Sequence, residues 1–269
     1  MIKYKSPIYE NCFLPETFEE LIRLISATEL DEWEEPFEFV PVRFWRGQGN
    51  IEWKIDSGAF RRIQLGYKTS NYENENLIFY ERRLLNHATH KGFKFHEGRE
   101  ISDFELLAKL QHHGAATRLV DFSRNALIGL WFCCNSQKDK TGILIGVHSH
   151  YVGGSENSNI NKQYEIQIKG IQDSEHPQVY ESPSVSSRIS SQHGQFLYSG
   201  VSNNKYGSLQ LPREPEGKLF IAITPQNKSR FLDILESVFD FRSQTLFPDL
   251  DGFGMANHFL IEPNKMSRW

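Results

Sequence analysis

Apolar positions follow a helical period in the first half of the chain and a strand period in much of the second. In "PETFEELIRLIS", Phe18, Leu21, Ile22 and Ile25 fall on one face, with Glu16, Glu19 and Glu20 in the first turns, so Pro15–Ser26 is expected to be an amphipathic helix. A second helix is expected in "NYENENLIFYERRLLNHATHKG", with Leu77, Ile78, Tyr80, Glu81, Leu84 and Leu85 at helical spacing and Gly92 as its stop. A third starts at Ser102, pairs it with Glu105 as a capping box, buries Phe104, Leu107 and Leu110, and ends at Gly114. "ALIGLWFCC", Ala126 to Cys134, has no polar side chain. A helix apolar all round is buried all round, with Ser123 or Asn125 to cap it.

Between the first two helices lies "FVPVRFWRGQGN". Phe39, Val40, Val42, Phe44 and Trp45 read as a half-buried strand with Pro41 at an edge or irregular start. Arg46 is then expected at or just past the strand end, with Gly47 turning the backbone. In the second half "GILIGVHSH", "YEIQIKG", "QFLYSGV" and "KLFIAIT" read as strands, "YVGGSENSNINKQ" as a polar loop, and "KSRFLDILESVFDF" as a helix with Phe231, Ile234, Leu235 and Val238 on one face. An acidic bridge, "ELDEWEEPFE", precedes the Trp45 strand. The pattern as a whole is α+β: a mixed or antiparallel sheet with helices packed on it and a helical N-terminal part.

With 269 residues, 39% hydrophobic and 24% charged, the chain has the composition of an ordinary globular protein. No run approaches the ~18 apolar residues of a membrane span. The N-terminus lacks an apolar signal core, so a cytoplasmic location is expected. Cys12, Cys133 and Cys134 fit reduced, buried thiols. A net charge of −4 argues against a globally basic nucleic-acid binder and leaves room for a local basic cleft.

Polar side chains crowd into "KLQHHGAATRLVDFS". Gln111, His112 and His113 close a helix. Thr117, Arg118, Asp121 and Ser123 occupy the elbow before the apolar helix. If Leu119–Phe122 is a strand, Leu119 and Asp121 share one face, and Ser123 sits where helix N–H groups favour anions. A structural network is the competing reading, with Asp121 neutralising Arg118 or Arg46. A second cluster, "PSVSSRISSQHGQFLY", carries Arg188, Gln192 and His193; in an extended chain Arg188 and Gln192 share a side. Metal chemistry fits poorly, because His87/His90 and His112/His113 lack companion ligands at zinc spacing. "FPDLDG" lacks the carboxylate a calcium loop needs and reads as a turn with Asx-type hydrogen bonds. No phosphate-cradling glycine loop and no hydrolase elbow is present.

These motifs in this order resemble the FRG-domain family. Its Phe-Arg-Gly reads here as Trp45-Arg46-Gly47. Its Gln-His-Tyr-Gly-x-Pro-Thr-Arg-Leu-Leu-Asp-Trp-Thr is matched by Gln111 to Ser123, with departures that include His113, Ala116 and Ser123 at the Tyr, Pro and Thr positions. Arg188, Gln192, Gly194 and Phe196 match Arg-x-x-x-Gln-x-Gly-x-Phe, and Phe247–Gly252 carries Phe-Pro-Asp-Leu-Asp-Gly intact. The resemblance implies a single FRG-type domain over 1–269, with its core about 40–257 and residues 1–38 as a helical extension.

A weaker resemblance links the chain to ADP-ribosyltransferases, in which an aromatic-Arg-Gly strand end holds a phosphate or ribose of NAD. It implies an ADP-ribosyltransferase-like sheet core and NAD as co-substrate with no metal. It casts Arg46 first, Thr117 or Ser123 second and Gln192 third, with a toxin or phage-defence role by analogy. Many such enzymes have glutamate where Gln192 stands. Asp121 is therefore the first candidate for the missing carboxylate, with Glu165 and Glu181 in reserve. Arg46, Gln48, Gln111, His112, His113, Thr117, Arg118, Ser123, Arg188 and Phe196 are the candidate binding residues, and Trp45, Phe122 or Phe196 could stack nicotinamide. The acceptor would be RNA, DNA or protein, and an antitoxin is a conceivable partner. Two other readings stay open: a non-catalytic nucleotide or nucleic-acid binding module, and a metal-independent ribonuclease using His112 or His113. All require Arg46, Asp121 and Gln192, or the histidines, to meet in one cleft.

Overall fold

The computed structural model describes residues 2–26, 43–66, 73–154, 163–171, 174–183 and 186–258. The expected strand start at 39–42, the acidic bridge and residues 155–162 of the polar loop lie outside the described residues. The chain begins with β1 (Lys3–Tyr4), β2 (Cys12–Phe13), α1 (Phe18–Ser26) and β3 (Arg43–Gln48). Next come α2 (Gly58–Gly66), α3 (Asn74–His90), β4 (Phe95–His96), β5 (Arg99–Glu100), α4 (Asp103–His112), β6 (Val120–Ser123), α5 (Ala126–Asn135) and β7 (Gly142–His148). It continues through α6 (Tyr164–Lys169), β8 (Gln178–Tyr180), α7 (Ser187–Ser191), β9 (Gly194–Tyr198) and β10 (Lys218–Ile223) to α8 (Pro225–Ser237), α9 (Ser243–Leu246) and α10 (Leu250–Ala256).

The sheet order is β1-β2-β10-β7-β3-β6-β9-β8, and β4-β5 form a separate hairpin. The β2–β10 pair is parallel and the other pairs are antiparallel, so the α+β class with a mixed sheet holds. β3 is in register with β7 from Arg43↔His148 to Gln48↔Ile143, and β6 with β9 from Val120↔Leu197 to Ser123↔Gly194. Between β3 and β6 the ladder contains a single pair, Trp45↔Ser123. The sheet is thus split along its middle into β1-β2-β10-β7-β3 and β6-β9-β8.

Three apolar layers hold the sheet. One face packs Phe44, Val120, Phe122, Ile145 and Val147 against Tyr9, Tyr206 and Phe220. On the other face, α1, α5 and α8 cover Trp45, Leu144 and Ile221, while α3, α4 and α6 cover Leu119, Phe196 and Tyr198. α5 is buried as its sequence requires, and Asn125, not Ser123, caps it by accepting the Leu127 N–H at 2.9 Å. At α4, Ser102 accepts the Glu105 N–H, but the Glu105 carboxylate binds Arg99 in place of returning to the cap, so the box is half formed.

Four expectations change. Gly47 lies inside β3 and makes no turn; it is glycine because α5 crosses there. Tyr164–Lys169 is a helix, not a strand: Tyr164 and Ile168, four apart, are buried, while Ile166 faces out. Ser187–Ser191 is a short helix capped by Ser186, not an extended strand entrance. The N-terminal segment adds two edge strands to its helix.

Candidate functional site

Two cavities meet at the seam between the sheet halves. The first, about 370 Å³, is lined by Trp45, Arg46, Gln111, His112, Asp121, Ser123, Arg188, Gln192, Phe196 and Phe247, among others. The second, about 480 Å³, is lined by Arg61, Arg62, Ser57, Thr117 and Leu119. Arg46, Gln111 and Asp121 belong to both linings and form the wall between them.

β3 presents Arg46 at the seam from within the strand. Its Nη1 donates to the backbone carbonyl of Asp121 at 2.7 Å, so a side chain ties the halves beside their single ladder pair. The buried Nε of Arg46 has no acceptor among the described residues. Burial lowers the guanidinium's pKa, and Asp121 counters this. β6 supplies Asp121, whose Oδ1 accepts Gln111 Nε2–H at 2.8 Å. The Gln111 amide is oriented in turn by Thr117, whose hydroxyl donates to Gln111 Oε1 and accepts the Leu119 N–H. The Asp121 side chain is exposed to the cleft, and the protein around it still desolvates its carboxyl. This desolvation raises its pKa above the ordinary aspartate value, and Arg46 and the Gln111 bond limit the rise.

The opposite wall comes from α7 and the C-terminal segment. Arg188 is paired with Asp249 at 2.8 Å and lies over Phe247 at 5.0 Å. His112 Nε2 is 3.9 Å from Asp249 Oδ2. Burial first, then Arg188 and His113, hold the His112 pKa below its usual value, so the ring is neutral at neutral pH. Asp249 accepts the Gly252 N–H at 2.8 Å, three residues on, and so caps the start of α10 where "FPDLDG" was expected to form an Asx-type turn; its bonds to Arg188 and this N–H keep it ionised. Gln192 lines the first cavity, but its Nε2 donates to the Leu246 carbonyl at 2.9 Å, which spends the amide on anchoring α9. Ser123 Oγ donates to the Gln192 carbonyl at 2.7 Å.

Arg46, Asp121, Gln192, Gln111, His112, Ser123, Arg188 and Phe196 therefore meet at one cleft, and Thr117 braces it from the second cavity. Other candidates are placed elsewhere. Gln48 is bound to Tyr9 OH and the Lys54 carbonyl. His113 ends α4 with its ring against His112, outside both linings. Arg118 is buried against Glu81 in the helical layer. Glu165 pairs with Arg82 at the surface, and Glu181 accepts from Gln195 Nε2 behind the first cavity. Trp45, Phe122 and Phe196 are core rings with at most 7% exposure. The half-buried rings on the lining are Phe132 and Phe247, edge to face at 6.0 Å. Sequence reasoning missed Phe132 because it sits in an otherwise buried helix. It also passed over Arg61 and Arg62, whose only signal is two adjacent arginines.

The fold and this site define an α+β protein whose cleft opens along a split sheet. Residues 42–142 match the FRG domain family model, so this stretch of the chain is similar to an FRG domain. The match spans Trp45–Gly47 and Gln111–Ser123, whereas Arg188–Phe196 and Phe247–Gly252 lie beyond it. No curated protein and no solved structure matches the chain. Among the described residues, no helix is long and apolar enough to cross a membrane, and no group of three His, Cys, Asp or Glu side chains could hold a metal ion.

Proposed function

We propose that the cleft is the active site of an NAD-consuming ADP-ribosyltransferase. The observation that carries this reading is the shared wall: an anion-seeking arginine and an electrostatically uncomfortable carboxylate, brought together from the two sheet halves. When the glycosidic bond to nicotinamide breaks, its electron pair leaves with nicotinamide and positive charge builds on the ribose. A carboxylate at that carbon stabilises the charge. Asp121 takes this role. Arg46 and the seam around it hold phosphate. Phe132 and Phe247 offer the stacking surface for nicotinamide. Neutral His112, on the same lining, accepts the proton from the nucleophile that forms the new bond to the ribose carbon.

The test is nicotinamide release from NAD by the purified protein, with and without RNA, DNA and cell lysate. Asp121→Asn keeps the Gln111 hydrogen bond and removes the charge, and is expected to lower release by at least about 10²-fold. Arg46→Ala is expected to weaken NAD binding and release together. The pH profile carries its own sign. Asp121 acts as the anion and its pKa is raised, so activity is present above that pKa and is lost as pH falls through a midpoint above the ordinary aspartate value. A midpoint at or below the ordinary value would remove Asp121 from this role. A second reading draws on Gln192, whose neutral amide is already committed to Leu246: a module that binds nucleotide without turnover. NAD binding that needs Arg46, with no release under any condition, would establish that reading and overturn the first.

A further inference from the structure

We propose that the arginine-lined cavity on the far side of the Asp121 wall binds the phosphate backbone of a single-stranded nucleic acid, which is the acceptor of the transfer. This rests on the transferase reading of the adjoining cavity. The two cavities share Asp121, so whatever fills the second lies on the other side of the carboxylate that faces the ribose.

Beside Arg46, the second cavity gathers two cationic side chains on one lining. Arg61 and Arg62 of α2 are exposed on its lining, and neither makes an ion pair among the described residues. Elsewhere, Arg23, Arg82, Arg99, Arg118, Arg188 and Arg213 are each held by a carboxylate. Arg61 shares this lining with Arg46 and Asp121, so its positive charge acts on both sides of the shared wall. Asp56, the other carboxylate on the lining, accepts the Ser208 N–H at 2.7 Å.

Two features select a polymer over a single phosphate. Consecutive helix positions diverge by about 100°, so Arg61 and Arg62 cannot fork one phosphate together and are set to meet groups spaced along a strand. Arg62 also lies 5.7 Å from the ring centre of Tyr80, whose hydroxyl is pinned by donating to the Ala116 carbonyl at 2.9 Å. A guanidinium backed by an anchored ring is a platform on which an unpaired base can stack. The overall charge of −4 does not oppose this, because phosphate contacts act over about one Debye length and are local.

The test is a fluorescence-anisotropy titration of the full chain, without NAD, using a short labelled poly-uridine RNA and the matching poly-thymidine DNA over a salt series. The expected result is binding that weakens steeply with salt. It should fall at least about tenfold in the Arg61→Glu/Arg62→Glu double variant. It should fall in each of Arg61→Glu and Arg62→Glu alone and should not change in Arg230→Glu, a single reversal of the same kind at an exposed position of α8. A preference for either strand still supports the proposal, since both carry the phosphate backbone. No binding to either strand, equal binding of poly-glutamate, or loss of NAD affinity in the double variant with oligonucleotide binding intact would each overturn the proposal. The last outcome would assign the cavity to the diphosphate of NAD. Failure of the transferase reading appears separately, as absent nicotinamide release from a protein that still binds the strand.

Discussion

Arg118→Ala is expected to cost about 3–5 kcal/mol of folding stability, because it strands a buried carboxylate. Glu81 is fully buried and Arg118 is 3% exposed. Glu81 accepts the Arg118 backbone N–H at 2.7 Å and its Nε–H at 2.5 Å, and accepts the Tyr164 hydroxyl at 2.8 Å. Arg118 Nη2 donates to that hydroxyl at 3.0 Å, so three elements (α3, the approach to β6, and α6) share one charge pair. The pair's net worth against apolar replacements is small, because desolvation offsets attraction. Breaking it is costly because the survivor keeps its desolvation without compensation. Arg118→Leu combined with Glu81→Leu should therefore be less harmful than either single change. Chemical denaturation at constant m-value measures both. A loss below about 1 kcal/mol for Arg118→Ala would mean the pair behaves as a surface bridge and the burial argument is wrong.

Gly47→Ala is expected to cost at least about 3 kcal/mol, at the top of the range for overpacking, because the intruding atom meets backbone. A Cβ at Gly47 would stand 1.8 Å from the Gly129 carbonyl oxygen and 2.6 Å from the Cys133 nitrogen. A flexible side chain could swing away; a helix axis cannot. α5 would have to lift from β3, opening the layer that holds Trp45, Leu130 and Trp131. Thermal unfolding of the variant checks this. Gly66→Ala is the internal comparison, since nothing lies within 4 Å of its added atom. Equal melting temperatures for the two variants would contradict the close crossing.

The contrast between these positions explains what the sequence made legible. α3, α4, α5 and β7 were readable because each signals through its own period or its uniform apolarity. Tyr164–Lys169 was not, since Ile166 and Ile168 alternate as in a strand. What overrides that pattern is the pull of Tyr164 toward Glu81 and of Ile168 into the helical layer, both distant in sequence. Arg118 could not be told from a ligand-binding arginine for the same reason: its partner lies 37 positions away. The cleft was legible as a set of residues, because polar side chains that interrupt apolar elements need a shared destination. Its shape was not. Nothing in the composition of β3 or β6 announces that they would meet at one residue pair, or that Arg61 and Arg62 would stand behind Asp121. Gln192 keeps its place in the cleft while its amide serves α9, a distinction that exists only in three dimensions.

The sparse pairing of β3 with β6 also has a mechanical meaning. A continuous ladder spreads load over many bonds, whereas this one concentrates it on Trp45↔Ser123 and on the Arg46 guanidinium. The seam is the line along which the sheet yields first. Any molecule that fills the cleft touches both sides of that line and acts as a stitch. Its affinity is then read out as cohesion of the sheet, about 2.7 kcal/mol at a hundredfold excess over Kd. Amide protons flanking the seam should gain more protection from exchange than those of β7 and β10, which are already sewn together from Lys218↔Val147 to Ile223↔Gly142.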